Sequence, residues 1–398
     1  MTTIGASAVP QPDFPPATAP MRLTTAIRPY DWGSVTALPH LFGTEPTGRP
    51  QAELWMGAHP GDPSTVAGTP LNELIAHDPT AILGEPTAAR FGPALPYLLK
   101  VLAIERPLSL QVHPTTAQAE AGFADENARG IPIDDPARTY KDASHKPEMV
   151  CAITPFHGLC GFRDPAATAG LLDRLALPDL HPWTDLLRAG GLREVFAQML
   201  DDSNRPLRAQ VEQALLALDD DPDLAVYGDI ARACPGDPGV TAALLLHHVN
   251  LLPGQALYLG AGVPHAYLGG IGVEIMANSD NVLRCGLTTK HIDVPELLRV
   301  VDFTPSEPHL VRPEEDARGE HHYRPPAPEF ALTRYDLESP HSVPGGVPQI
   351  VVCIDGETHL GDLTLRPGES AFIPASVPSA RLSGKGTAYR ALPGAFTK

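Results

Sequence analysis

Apolar and polar positions divide the chain into three textures. In the first, short apolar runs alternate with turn residues. Leu95-Pro96-Tyr97-Leu98-Leu99-Lys100-Val101-Leu102-Ala103-Ile104 is almost wholly apolar. It predicts a strand buried on both faces, although periodicity leaves a buried helix open. Leu108-Ser109-Leu110-Gln111-Val112-His113-Pro114 follows, with Gln111 and His113 two residues apart. On a strand these two share a face and Val112 turns into the packing. Met149-Val150-Cys151-Ala152-Ile153 and residues 52–60 read as further strands, residues 28–34 as an extended piece and a turn. Short helices are expected around Leu71-Asn72-Glu73-Leu74-Ile75 and over 116–129, with a loop at 134–142.

The second texture starts near Pro165. Leu171, Leu172 and Leu175, then Leu192, Val195, Phe196 and Met199, then Val211, Leu215 and Leu218 recur at three-to-four spacing. That period predicts amphipathic helices, several and short, ending near Leu246. In the third texture strand signals resume at 251–259 and an internal repeat appears. Leu251-x-Pro253-Gly254, Ala261-x-Val263-Pro264-His265-Ala266 matches Leu365-x-Pro367-Gly368, Ala375-x-Val377-Pro378-Ser379-Ala380 at a constant offset, since 367 minus 253 and 379 minus 265 both give 114. Two similar β modules explain it economically. His265 in the first copy is Ser379 in the second, so a ligand type present in one is absent from the other. Residues 356–384 hold short strands with Gly and Pro turns, which suggests a sandwich or barrel, a jelly roll being one way to close it.

Composition narrows the function classes. A chain of 398 residues with 43% apolar content can build two or three domains. Its net charge of -18 argues against nucleic acid or an acidic membrane as the main partner. The five cysteines form no Cys-x-x-Cys pair, so neither a disulfide framework nor a zinc ribbon fits, and the cytoplasm is the natural compartment. Residues 1–20, rich in Pro, Ala and Thr, lack an apolar signal core and are expected as a disordered leader. No apolar run is long enough to span a bilayer.

Four candidate ligands stand out: Gln111, His113, Glu148 and His265. An amide oxygen, two imidazoles and a carboxylate suit a borderline divalent cation, zinc first. Hydrogen-bonded core residues are the plainer reading of the same side chains. Lys100, Lys146, Arg284 and Lys290 lie on or beside core-like elements. In an acidic protein they invite a phosphate, or they pair with Glu274, Asp280 or Asp293.

These residues carry a resemblance. Tyr30-Asp31-Trp32-Gly33-Ser34, Ala52-Glu53-Leu54-Trp55-Met56-Gly57-Ala58-His59-Pro60, Ser109-Leu110-Gln111-Val112-His113-Pro114, His145-Lys146-Pro147-Glu148, Pro264-His265-Ala266-Tyr267 and Glu274-Ile275-Met276-Ala277-Asn278-Ser279-Asp280-Asn281-Val282-Leu283-Arg284 stand in the order of the type I mannose-6-phosphate isomerases, zinc enzymes of the cupin class. The chain resembles that family over roughly residues 30–303, and more generally elsewhere. The resemblance implies a mainly β fold: a cupin jelly-roll catalytic domain over 21–163 and 247–315, an inserted α-helical domain over 164–246, and a second C-terminal jelly roll over 316–398. It implies interconversion of mannose 6-phosphate and fructose 6-phosphate. One Zn2+ per chain would sit on Gln111, His113, Glu148 and His265, and the catalytic arginine would be Arg284. Ser109, Lys100, Lys290, Tyr267 and Asp280 are expected to bind the sugar phosphate. The C-terminal module is expected to hold no metal.

The proton carrier is open between Glu274, Lys146 and His145. Lys146 would share a face with Glu148 on a regular strand, which Pro147 interrupts. Glu274 stands in the most specific block. His145 would point elsewhere and could serve ring opening. A monomer acting on a small sugar phosphate, with no nucleic-acid or membrane partner, is the expectation. A sugar-sensing cupin without turnover and an iron-dependent oxygenase are the competing classes; the Gln ligand and the basic residues fit the oxygenase poorly.

Overall fold

The computed structural model describes residues 14–218 and 220–397. Residues 1–13 of the expected leader lie outside the described residues. The following residues are held: the Phe14 ring stacks on His77 at 4.1 Å, and the Ala17 carbonyl accepts a hydrogen bond from the Ser376 hydroxyl.

The larger sheet runs His309–Val311, Ala256–Leu259, Glu148–Ala152, His265–Ala277, Tyr97–Ile104, Glu53–Gly57, Ala26–Arg28, all antiparallel. Tyr97–Ile104 is buried along its whole length, as its apolar run predicts. Its two faces have different partners. Tyr97, Leu99, Val101 and Ala103 join a core with Ile350, Phe372 and Ala391 from the far end of the chain. Leu98, Lys100 and Leu102 face the other way, into a cavity. The Tyr97 hydroxyl donates to the Pro348 and Ala391 carbonyls, 3.2 Å away in each case. The two β modules therefore share one apolar core across the backs of their sheets.

The strand His265–Ala277 turns a corner. Its second half pairs with Tyr97–Ile104, and its first half with Phe156–Phe162 and Leu110–Val112. The bend falls at Gly270, with φ 113, where a Cβ would come within 2.6 Å of the Pro155 carbonyl oxygen. Only glycine adopts that backbone without strain. The corner carries His265 and Glu274 on one continuous strand past both walls of the cavity.

Between Phe156–Phe162 and Leu246–Leu251 lie the helices Pro165–Asp173, His181–Arg188, Leu192–Leu200, Arg205–Ala217, Ala225–Ala233 and Pro238–Ala243. Their periodic residues, among them Leu172, Val195, Phe196, Met199, Val211 and Leu215, bury one core together with Leu110, Val112 and Cys285. Val112 thus turns into packing as expected, and the packing is helical. Strands resume at Leu246 rather than near Leu251. The run Leu244-Leu245-Leu246 is buried throughout, and an apolar run buried on all sides has no period to mark where a helix stops.

The smaller sheet orders Met21–Leu23, Ser370–Ile373, Gln349–Leu360, Ser379–Leu392, Ala331–Asp336, Glu320–Tyr323, Glu314–Glu315. The repeat is structural. The strands Ala256–Leu259 and Ser370–Ile373, and the long strands starting at His265 and Ser379, keep the 114-residue offset, and their Pro-Gly turns place Gly254 and Gly368 at φ 85 and 82. The first strand does begin at residue 21, where the catalytic domain was expected to start, but it belongs to the other sheet: Met21–Leu23 pairs with Ser370–Phe372 of the C-terminal module.

Gly33 marks a close crossing. It bridges Ile104, and a Cβ there would lie 2.4 Å from the Ala52 Cα. Gly33→Ala should therefore cost about 2 kcal/mol or more by overpacking. Denaturant unfolding should show a lower midpoint at unchanged slope; an unshifted midpoint would remove the argument.

Candidate metal centre and active-site cavity

His113 and His265 are fully buried and point at one carboxylate. His113 Nε2 lies 3.3 Å from Glu148 Oε1 and His265 Nε2 lies 3.6 Å from Glu148 Oε2. Each ring uses its other nitrogen on a backbone carbonyl: His113 Nδ1 on Asn281 O at 2.7 Å, His265 Nδ1 on Val263 O at 2.9 Å. A carbonyl only accepts, so both Nδ1 atoms carry the proton and, in the neutral rings, both Nε2 atoms present lone pairs. Burial, only partly offset by Glu148, pushes His113 down to about 4, so its ring stays neutral near pH 7. Two lone pairs then face a carboxylate. His113 Nε2, His265 Nε2 and Glu148 Oε2 have no hydrogen-bond partner, and buried polar groups in that state are costly. A divalent cation between them satisfies all three, and the carbonyl-bound Nδ1–H groups are the outer support that metal-ligating histidines use. The sheet register places Gln111 opposite both His265 and Arg284. Cross-strand partners share a face, and Gln111 lines the same cavity as Glu148. The donors fit zinc.

Glu148 and Gln111 line a cavity of about 660 Å³ beside this centre. Glu274 and Lys100 are paired in register on its wall. Lys100 Nζ lies 3.1 Å from Glu274 Oε2 and 3.2 Å from Glu53 Oε2, and the Trp55 indole N–H also donates to Glu53. Burial lowers the Lys100 ammonium, but the Glu53, Glu274 and Glu148 charges outweigh it and raise Lys100 above its ordinary value. Burial raises Glu274; Lys100 opposes this, the Glu148 and Glu53 charges add to it, and the net shift is upward. Lys146 Nζ sits 3.1 Å from Glu148 Oε1. Glu148 begins its strand and Lys146 precedes it in a loop, so the two meet through the loop rather than by strand alternation. Against the effect of burial, the Lys146 ammonium holds Glu148 well below the usual carboxylate range.

Ser109, Tyr267, Asp280, Arg284 and Lys290 also line the cavity. The Tyr267 hydroxyl is buried without a hydrogen-bond partner. Asp280 pairs with His59 at 3.3 Å, and that contact lowers its pKa despite burial. Burial lowers Arg284; burial and then the Arg284 charge lower Lys290. Among the described residues neither has a carboxylate within ion-pair distance. Two cations without anions in a chain of net charge -18 make a site for a ligand anion. His145 is placed differently. Its Nε2 binds Glu329 Oε1 of the C-terminal module at 2.8 Å, and it does not line the cavity.

Sequence reading had not singled out Glu53, Trp55, His59, Asn281 or Asp237 as site residues. Glu53, Trp55 and Gly57 share a strand face and His59 continues the count, so alternation within that block was an available signal. The Asn281 side chain bonds the Lys141 N–H and the Asp142 and Ser144 carbonyls, which holds its own carbonyl on His113. Among the described residues the C-terminal module has one cluster of comparable residue types, Asp316, Glu320 and His322. There the Arg318 guanidinium lies 3.1 Å from Asp316 and 3.4 Å from Glu320, so a side-chain cation already takes the place an ion would need.

Comparison with known proteins follows the same lines. The family model for the phosphomannose isomerase type I catalytic domain matches residues 21–165, and that for the mannose-6-phosphate isomerase cupin domain matches residues 321–393. The mannose-6-phosphate isomerase of Shigella flexneri is 40% identical over 388 residues, 93% of this chain and 98% of its own. That of Homo sapiens is 32% identical over 372 residues, 83% and 84% of the two chains. A solved mutant of phosphomannose isomerase from Salmonella typhimurium superposes with a TM-score of 0.88 at 39% identity, over 95% of this chain and all (100%) of the other. A zinc-bound holo mannose 6-phosphate isomerase gives 0.88 at 40% identity, over 94% and 100%.

Proposed function

Because the chain belongs to the type I phosphomannose isomerase family, we propose that it interconverts mannose 6-phosphate and fructose 6-phosphate, with one zinc ion held by Gln111, His113, Glu148 and His265. The carrying observation is the convergence of three buried, unpartnered ligand atoms on His113, His265 and Glu148. Glu148 opens onto a cavity that is also lined by Arg284 and Lys290, neither of which has an ion-pair partner among the described residues. When bound, zinc supplies a Lewis acid toward the sugar oxygens.

The residues divide the remaining work. Glu274 takes the proton from C2 of the open-chain aldose; the C2–H electron pair becomes the C1=C2 bond of an enediol as O1 gains a proton. Glu274 then returns its proton to C1 while O2 gives one up, which completes the ketose. Lys146, beside the metal centre, donates hydrogen bonds to the oxygen on which negative charge develops. Lys100 and Glu53 hold the Glu274 carboxylate in place. Arg284 and Lys290, with the Ser109 hydroxyl, hold the phosphate. Lys100 is left out of that set because two carboxylates already surround its ammonium. His145, bonded to Glu329, is left out of proton transfer. The protein is proposed to act in the cytoplasm as a monomer; among the described residues no helix is long and apolar enough to cross a membrane.

The test is turnover by zinc-saturated protein, with fructose 6-phosphate coupled to NADP reduction. Tight zinc without turnover would favour the sugar-sensing class, and iron with oxygen consumption the oxygenase. Within this reading Arg284→Gln should raise KM for mannose 6-phosphate by about tenfold or more, the scale of a lost charge-assisted contact. Inhibition by inorganic phosphate should weaken in parallel. Unchanged KM and unchanged phosphate inhibition in both Arg284→Gln and Lys290→Met would place the phosphate elsewhere.

A further inference from the structure

We propose that Asp237, contributed by the helical segment, is the positioning residue that fixes the loop 287–290 over the phosphate end of the cavity; the proposal rests on the reading of Arg284 and Lys290 given above. Asp237 Oδ1 accepts from the Gly239 N–H at 2.7 Å and from the Leu287 N–H at 2.6 Å, and Oδ2 accepts from the Thr288 N–H at 2.9 Å. One carboxylate thus caps the helix Pro238–Ala243 and grips two consecutive amides of the loop. The chain continues outward: the Thr288 hydroxyl accepts from the Lys290 N–H at 3.1 Å. Lys290, a proposed phosphate ligand, therefore takes its backbone position from Asp237 through two hydrogen-bonded links.

The loop needs this hold. Leu287 has φ 55, a left-handed conformation that a leucine disfavours. The approach that permits it is tight: a Cβ on Gly239 would lie 2.6 Å from Leu287 N, and one on Gly286 2.4 Å from Gly239 Cα. Asp237 also faces the cavity, as do Thr288, Thr289 and Lys290. Among the described residues it forms no ion pair. Its charge is met by backbone amides, which leaves Arg284 and Lys290 free for a ligand anion. The helical segment, which contributes none of the metal-centre residues, in this way sets the geometry of substrate capture.

The test compares zinc-saturated parent, Asp237→Ala and Asp237→Asn. In Asp237→Ala, KM for mannose 6-phosphate and the inhibition constant of inorganic phosphate should rise together by about 5- to 20-fold, as for a misplaced charged contact. The value of kcat should change by less than about threefold, because the proton-transfer groups are untouched. Asp237→Asn keeps an oxygen for Gly239 and Leu287 and loses only the Thr288 bond, so its effect should be intermediate. It also serves should Asp237→Ala not fold. A merely structural role would lower kcat through the active fraction and leave both constants unmoved; that result in Asp237→Asn overturns the proposal. A parent without turnover, or parental KM and phosphate inhibition in both Arg284→Gln and Lys290→Met, overturns the functional reading instead.

Discussion

Replacing His265 by Ala should empty the metal centre, and replacing Ser379 by Ala should leave it full. Dialysed parent protein should carry about one zinc per chain and the His265→Ala variant close to none, since losing one of the proposed ligands would leave the cation underheld. Turnover should fall by about a thousandfold or more, the scale of a lost Lewis acid. The effect should also be visible without turnover. A ligand that binds only the folded state stabilises it by about 4 kcal/mol at a thousandfold excess over its Kd; added zinc should raise the melting temperature of the parent and of Ser379→Ala, and barely that of His265→Ala. Asp316→Ala and His322→Ala probe the C-terminal cluster and should keep parental zinc. Parental stoichiometry in His265→Ala, or a zinc equivalent lost on replacing Asp316, would sink the assignment.

Why could one site be read from the chain and its surroundings only in part? Part of the candidate ligand set was legible: period-two alternation places Gln111 and His113 on one face from spacing alone, and Leu110 and Val112 pack on the opposite one. Nothing local brings Glu148 and His265 to His113, which the fold does. The repeat was legible because its turns need glycine at positive φ, met by Gly254 and Gly368, and such turns keep their spacing. The helical segment was legible from its period, including its end near Leu246; the start of the strand that follows was not, because Leu244-Leu245-Leu246 is apolar without alternation.

What escaped the sequence depends on contacts between distant segments that no local pattern encodes. Met21–Leu23 enters a sheet whose other strands lie some three hundred residues away, Met21 opposite Phe372. Three residues carry too little pattern to name a partner. Asp237 reads locally as a helix cap, and its hold on Leu287 and Thr288 appears only when the helical segment is folded against the loop. His145 stands beside Lys146 in the chain, yet its ring is drawn to Glu329 at 2.8 Å, so adjacency in sequence separated rather than joined them. Glu53 and Lys100 are 47 positions apart, 100 minus 53. Their ion pair at 3.2 Å follows from the pairing of Glu53–Gly57 with Tyr97–Ile104, which spacing does not reveal.

Replacing Glu274 by Gln should abolish exchange of the C2 proton with solvent together with turnover. Glutamine keeps the shape and a hydrogen bond to Lys100 but cannot take up a proton. Glu274 Oε2 is fixed 3.1 Å from Lys100 Nζ on a strand that also carries His265, so carboxylate and metal centre are held by one rigid element. Burial is the main cause of its raised pKa, and a carboxylate with a raised pKa is the stronger base. The ionised form is the active one, so kcat/KM should fall as pH drops through that pKa, and this acid limb should be missing from residual activity in Glu274→Gln. The loss of kcat should be about 10² to 10⁴-fold, the usual contribution of a positioned base, with little change in KM. Zinc content must first be matched to the parent, and for Lys146→Met especially, because Lys146 touches Glu148 at 3.1 Å. Lys146→Met should slow turnover through weaker stabilisation of the developing charge and retain measurable exchange. If Glu274→Gln exchanges at the parental rate and Lys146→Met does not, the proton travels on Lys146. If both exchange at the parental rate, neither residue carries it and the division of roles on this wall of the cavity is wrong.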